Sequence, residues 1–237
     1  MNFKGHTFIS AVIVAAGKST RMNMDINKQY LEIGGMPVLA HALNVFEKCM
    51  EIDEIILVVN SEEISYCKNN IIDKYGFKKI AKVVPGGDER QFSVYNGLKQ
   101  VNGKCEIVLI HDGARPFITE DIILEGIEKT KEFGAACIAV PMKDTVKVVG
   151  NGDVIESTPD RNKLWAVQTP QIFRYELIMK AYEKACKDGY TGTDDTVLVE
   201  RLGYNVHVVL GNYYNIKITT KEDLVIAEAI AEAIQAK

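Results

Sequence analysis

Between Phe8 and Val140 the chain repeats one unit: a short apolar run, then a longer segment with apolar residues at helical spacing. The runs are Phe8–Val14, Glu54–Val59, Ile80–Val84, Glu106–Ile110 and Ala135–Val140. The segments between them are Val38–Met50, Glu62–Tyr75, Glu89–Val101 and a helix from Thr119 to about Phe133. A strand covered on both faces reads as a continuous apolar run of about four to eight residues. Joining two such strands in parallel requires a crossover, usually a helix. The repeat therefore predicts an α/β fold: a doubly wound, mostly parallel sheet with helices on both faces, Rossmann-like in class. Local signals agree. Pro37 stands where a first helical turn begins, and its missing N–H is no loss there. Thr119 is a candidate N-cap, with Glu120 and Asp121 adding negative charge to the first turn.

The rhythm breaks at Pro141. Thr145–Val149, the turn Asn151-Gly152-Asp153 and Val154–Ser157 predict a β-hairpin. A lone hairpin is marginally stable in water, so this one is expected to pack on something, with a second subunit the first choice. Helical patterns resume at Tyr175–Asp188 and Asp194–Leu202, and Val206–Leu210 and Asn215–Ile218 are predicted as short strands. Thr220 with Asp223 forms a capping-box pattern ahead of the last helix. The expectation is one domain over residues 1–237, with a protruding arm at about 142–168.

Bulk composition narrows the partners. The net charge of −4 argues against a general nucleic-acid binder, so cations for an anionic ligand must be gathered locally. The sequence contains no apolar stretch of about 18 residues, so no membrane span is expected. The N-terminus lacks the pattern of a signal peptide. The five cysteines show no Cys-x-x-Cys, which predicts reduced, packed thiols and a cytoplasmic protein. The four histidines are scattered, and no zinc site is suggested.

The chemistry concentrates at loops that follow predicted strands. Ala15-Ala16-Gly17-Lys18-Ser19-Thr20-Arg21-Met22 comes directly after the first one. Small residues let the backbone approach a ligand, and consecutive amides can form an anion nest. Alone, this loop could equally be a solvated connection. It is neither a Walker A loop nor a Gly-x-Gly-x-x-Gly dinucleotide loop, so a kinase and an NAD dehydrogenase lose support.

Further motifs follow in order: Asn27-Lys28-Gln29-Tyr30, Gly86-Gly87-Asp88-Glu89-Arg90 with Ser93, His111-Asp112-Gly113-Ala114-Arg115-Pro116, Asp144-Thr145, Asp160-Arg161-Asn162, Gln168-Thr169-Pro170-Gln171, Thr193-Asp194-Asp195 and Asn215-Ile216-Lys217. Together they resemble the 2-C-methyl-D-erythritol 4-phosphate cytidylyltransferase family, from about Ile9 to Glu232. The resemblance implies a nucleotide-diphospho-sugar transferase-like fold and the partners CTP and a small polyol phosphate. It also implies a divalent cation, Mg²⁺, as cofactor and a homodimer that exchanges its arms.

It assigns Arg21 and Lys28 to the α-phosphate and leaving pyrophosphate, and Arg161 and Lys217 to aiming the attacking phosphate. Ala15, Ala16, Gly17, Lys18, Gly87, Asp88, Ser93, Asp112, Gly113, Arg115, Thr145, Thr169 and Thr193 are implied substrate contacts. Asp112 is also the implied metal ligand. His111 is expected to pack or hydrogen-bond. Lys18-Ser19 departs from the family, many of whose members carry Gly there. The nearest rival is ribitol-5-phosphate cytidylyltransferase, which tends to open with a Gly-Gly-Thr-Gly type loop that this chain lacks. A non-catalytic nucleotide sensor would tend to lose cations that this chain keeps. The implied nucleophile, a phosphate monoester with a second pKa near about 6, needs no general base. That suits a sequence without a Ser/His/Asp constellation.

Overall fold

The computed structural model describes residues 6–17 and 27–235. In chain order its strands and helices are β1 (Ile9–Ala15), β2 (Glu32–Ile33), β3 (Met36–Pro37), α1 (Val38–Lys48), β4 (Glu54–Val59), α2 (Ile64–Cys67), β5 (Ile80–Pro85), α3 (Arg90–Leu98), β6 (Ile107–Asp112), α4 (Glu120–Phe133), β7 (Ala135–Pro141), β8 (Val148–Val149), β9 (Ile155–Ser157), β10 (Trp165–Arg174), α5 (Tyr175–Asp188), α6 (Thr196–Glu200), β11 (His207–Leu210) and α7 (Lys221–Gln235). Seven strands form one sheet in the order β11-β7-β10-β6-β1-β4-β5. β1 lies parallel between β4 and β6, β4 pairs parallel with β5, and β7 pairs parallel with β11. Only β10 runs antiparallel, and it does so against both its neighbours.

Both faces of the sheet are covered, as the unbroken apolar runs require. Along β1, Ile9, Ala11 and Ile13 face one core with Leu43 and Phe46 of α1 and Ile123 and Ile127 of α4. Val12 faces the other, with Val94 of α3, Tyr182 of α5 and Val199 of α6. Each large apolar side chain buried this way contributes about 1.5–3 kcal/mol. A third cluster packs α7 against Ile33, Val38, Phe117 and Ile218. It anchors the loop that bears Lys217, the neighbour of fully buried Ile218.

The strand order puts a topological switch at β1 and β6. From β1 the chain moves outward to β4 and β5, then returns to the other side of β1. Open α/β sheets bind ligands in the crevice at such a point, beyond the carboxyl ends of the strands.

Several sequence expectations need correction. β10 lies in a stretch for which the sequence patterns predict no element, and Pro170, which cannot donate to a ladder, stands inside it. The structure accommodates it at a register shift between Val167 and Gln171. Because β10 starts at Trp165, the arm spans about 142–164 rather than 142–168. Its strands are also shorter than predicted, β8 and β9 only, joined by a 3₁₀ turn at Asn151–Asp153. Residues 215–218 form no strand. They are held instead by single bonds, Ile218 N–H to the Ala114 carbonyl at 2.9 Å and the Arg115 guanidinium to the Asn215 carbonyl at 2.7 Å. The helical segment after β4 continues past α2 as a π-helical stretch, Lys68–Asp73. Thr119 occupies the N-cap of α4, but its side chain makes no capping bond. The Thr220–Asp223 capping box is formed, with the Asp223 carboxylate accepting from the Thr220 N–H at 2.8 Å. Among the described residues, no helix is long and apolar enough to cross a membrane.

Candidate active site

Two cavities meet at the switch point. The first, about 430 Å³, is lined by Ala15, Ala16, Gly17, Lys28, Gly87, Asp88, Arg90, Ser93, Asp112 and Lys217, among others. Its wall depends on glycine. A Cβ on Gly86 would stand 2.3 Å from the Ala16 Cβ, and one on Gly87 would stand 2.6 Å from the Phe92 Cβ. The buried Ser93 hydroxyl fixes this turn. It accepts from the Gly87 N–H at 3.0 Å and donates to the Glu89 carbonyl at 3.1 Å.

The second cavity, about 330 Å³, is lined by Arg115, Thr169, Gln171, Thr193 and Asp194 together with Arg90, Asp112 and Lys217. Those last three residues border both spaces. Larger hollows of about 790 and 660 Å³ surround Glu106 and Arg174 at the opposite end of the sheet, away from this crevice.

Asp112 ends β6 with its carboxylate among three cations. Arg90 Nε donates to one oxygen at 2.9 Å. The other oxygen faces Lys217 Nζ at 2.7 Å and Arg115 Nε at 3.9 Å. Burial alone would raise its pKa. Arg90, Lys217 and Arg115 outweigh that and hold it well below the usual carboxylate range. Arg90 is itself clamped, its two terminal nitrogens donating to the two Asp195 oxygens at 3.0 and 2.9 Å. Burial opposes its charge, but Asp195 and Asp112 together keep its pKa above the ordinary value. Tyr182 donates to Asp195 at 2.5 Å, and Gln171 accepts from the Asp195 N–H at 2.9 Å.

A neutral relay lies beneath this cluster. The Asp112 N–H donates to Thr169 Oγ1 at 3.1 Å, and that hydroxyl lies 3.0 Å from His111 Nδ1. His111 Nε2 is 3.2 Å from the Arg115 carbonyl. A carbonyl can only accept, so Nε2 carries the proton and Nδ1 accepts from Thr169. Burial, aided by Arg115, brings the His111 pKa down to about 4. The imidazole is thus neutral at pH 7 and committed at both nitrogens, which bears out the hydrogen-bonding expectation.

A family model described as 2-C-methyl-D-erythritol 4-phosphate cytidylyltransferase matches residues 9–233. The chain belongs to this family. Cytidylyltransferases of that name from Caldanaerobacter subterraneus subsp. tengcongensis and Clostridioides difficile are 54% and 53% identical to it. Those matches span 93% of this chain and 97% and 92% of the relatives. A crystal structure of 4-diphosphocytidyl-2C-methyl-D-erythritol synthase from Anaerococcus prevotii matches with a TM-score of 0.85 at 38% identity, over 96% of this chain and 97% of that one. The Thermus thermophilus cytidylyltransferase gives a TM-score of 0.76 at 30% identity, over 93% and 98%.

Most residues implied by resemblance to the cytidylyltransferases converge on the two cavities. Ala15, Ala16, Gly17, Lys28, Gly87, Asp88 and Ser93 line the first, while Arg115, Thr169 and Thr193 line the second. Gly113 is a packing position, where a Cβ would stand 2.9 Å from Leu39 Cδ1. Thr145 and Arg161 lie exposed on the arm and line neither cavity, and Arg161 donates to the Lys143 carbonyl at 2.9 Å. Lys18 and Arg21 lie outside the described residues. The residue that sequence reasoning left without a role is Arg90. It stood inside a recognised motif, but its partner Asp195 is 105 residues away in the chain.

Proposed function

We infer from family membership and site geometry together that this protein is a cytidylyltransferase. It transfers CMP from CTP to 2-C-methyl-D-erythritol 4-phosphate, releases pyrophosphate and serves the non-mevalonate route to isoprenoid precursors. The observation that carries the chemistry is the position of Asp112, between two cavities and ringed by Arg90, Arg115 and Lys217.

The reaction brings a phosphate dianion against the α-phosphate of a triphosphate, so the barrier is largely charge repulsion. Fixed cations lower it by positioning both anions and stabilising charge in the transition state. We assign the first cavity, which holds the Gly87–Asp88 turn and Ser93, to the nucleotide; Lys28 borders it and not the second, which suits a role at the triphosphate. Lys217 borders both cavities, which suits a role between donor and acceptor. Arg21 is assigned to the triphosphate with Lys28 by the family pattern. No side chain is needed to take a proton from the acceptor. His111 has no free nitrogen for that task, and the buried Ser93 hydroxyl is already donating.

A divalent cation fits as a companion of CTP. Mg²⁺ takes one or two carboxylates and completes its shell with phosphates and water. Asp112 would supply one hard oxygen ligand beside the nucleotide cavity, through the oxygen that Lys217 Nζ now faces at 2.7 Å. Among the described residues, no cluster of three or more His, Cys, Asp or Glu could hold a metal alone. Bound there, the ion would neutralise part of the triphosphate charge.

The arm belongs to the same proposal. Exposed Val148, Val149, Val154 and Ile155 are the kind of surface that a second copy covers. In such a homodimer, Thr145 and Arg161 complete the partner's site. A cytoplasmic location accords with four of the five cysteines being buried free thiols.

The direct test is pyrophosphate release from CTP with Mg²⁺, with either 2-C-methyl-D-erythritol 4-phosphate or ribitol 5-phosphate as acceptor. Turnover with the first is expected. Turnover with ribitol 5-phosphate alone would overturn the assignment of the acceptor.

A further inference from the structure

We propose that Glu63 is a positioning residue for the transfer: its carboxylate clamps the turn that presents Lys28 to the nucleotide cavity. The proposal rests on the reading that Lys28 acts on the triphosphate. Glu63 ends the 3₁₀ turn Ser61–Glu63, which directly follows β4, the neighbour of β1 in the sheet. The Asn60 side chain caps that turn by accepting from the Glu62 N–H at 3.2 Å, so the backbone beneath Glu63 is fixed.

The carboxylate receives donors from both sides of Lys28. Asn27 Nδ2 donates to one oxygen. Gln29 Nε2 and the Tyr30 hydroxyl donate to the other, each at 3.1 Å. Gln29 Nε2 also donates to the Ala15 carbonyl at 2.9 Å, tying the turn to the end of β1. Gln29 and Tyr30 are buried, and Tyr30 packs edge-on against Tyr66 at 4.8 Å. The result is a short 3₁₀ turn, Lys28–Tyr30, whose side chains at Gln29 and Tyr30 converge with Asn27 on the Glu63 carboxylate. An ionised carboxylate suits this place because it accepts at both oxygens and donates nothing. A glutamine there would set an NH₂ group against either Asn27 or the Gln29–Tyr30 pair. Glu63 lines neither cavity, so it acts through the turn and not on substrate.

The test is a double-mutant cycle between Glu63→Gln and Lys28→Met, read as kcat and as KM for each substrate. Misplacement of a reacting group by about 1 Å costs up to about 10²-fold. Glu63→Gln is therefore expected to lower kcat by about 10- to 100-fold. The acceptor's KM is expected to stay within about threefold, and the thermal midpoint within a few degrees. In the Lys28→Met background the same change should lower kcat by no more than about threefold, because the group it positions is gone. Asn27→Ala removes one donor from the clamp. It is expected to act in the same direction more weakly, and it takes the place of Glu63→Gln in the cycle if that variant fails to fold.

Full kcat in Glu63→Gln alongside an impaired Lys28→Met overturns the proposal and leaves the reading of Lys28 standing. Losses that multiply in the double variant overturn it too, since Glu63 then acts elsewhere. Wild-type kcat in Lys28→Met overturns the reading of Lys28 and, with it, the clamp's purpose.

Discussion

Lys217 and His111 do different work: Lys217 pairs with the Asp112 carboxylate, whereas His111, the preceding residue of β6, bonds to Thr169 and the Arg115 carbonyl. Lys217 is partly exposed and paired with Asp112 at 2.7 Å, and Arg90 and Arg115 also face that carboxylate. Removing the lysine therefore leaves Asp112 compensated while taking a cation from the space between the cavities. Lys217→Met is expected to lower kcat by about 10²–10³-fold, the usual effect of losing one preorganised donor. Its denaturation midpoint should stay close to wild type, and steady-state kinetics with a urea titration measures both.

His111 is a stability residue. Its folded pKa of about 4 lies below the ordinary 6.5, so between those values the unfolded chain binds the extra proton. Stability from this group is complete above about pH 6.5 and is lost as pH falls toward 4. At about 1.4 kcal/mol per unit the full loss is about 3 kcal/mol. Urea unfolding at pH 7 and pH 4.5 in the presence of a chelator should show that slope in the wild type and lack it in His111→Asn. The importance of Asp112 was legible in its motif at a strand's end. The job of Arg90 was not, because a guanidinium shared by Asp112 and Asp195 exists only after α3, β6 and α6 are brought together.

The same division holds for whole elements. Glu54–Val59 and Tyr175–Asp188 form the predicted strand and helix, because their patterns are dictated by burial on two faces or one. The segments that misled are those where a particular side chain overrides the pattern. Pro170 stands inside β10, and residues 215–218, apolar enough for a strand, are pinned as a loop by Arg115 and Ala114. The turn at Gly86 shows how an element limits what a residue can be. Its N–H is bonded to the Val59 carbonyl at 2.8 Å, so the backbone cannot retreat from Ala16. Gly86→Ala should therefore overpack the junction of β1 and β5, at a cost of about 1–3 kcal/mol. It should also weaken CTP binding, because Ala16 lines the nucleotide cavity. Thermal unfolding with and without CTP measures both, and a variant with wild-type stability and affinity would mean that the turn is looser than its contacts indicate.

At the scale of the molecule, the site within one chain brings Lys28 and Lys217 to the crevice but leaves Thr145 and Arg161 out on the arm. The arm's exposed valines and isoleucine make a detached, solvent-facing hairpin an unfavourable resting state. A two-fold dimer in which each arm lies over the partner resolves both features, since such symmetry gives two equivalent composite sites. This proposed arrangement has a test that needs no structure of a dimer. Lys28→Met and Arg161→Met chains should each be nearly inactive alone. Mixed and allowed to exchange, about half of the dimers carry one chain of each kind. In each of these, one site receives the intact Lys28 of one chain and the intact Arg161 of the other. Activity should then recover to about a quarter of wild type. If the arm instead served its own chain, no mixed dimer would contain an intact site, and mixing would restore nothing.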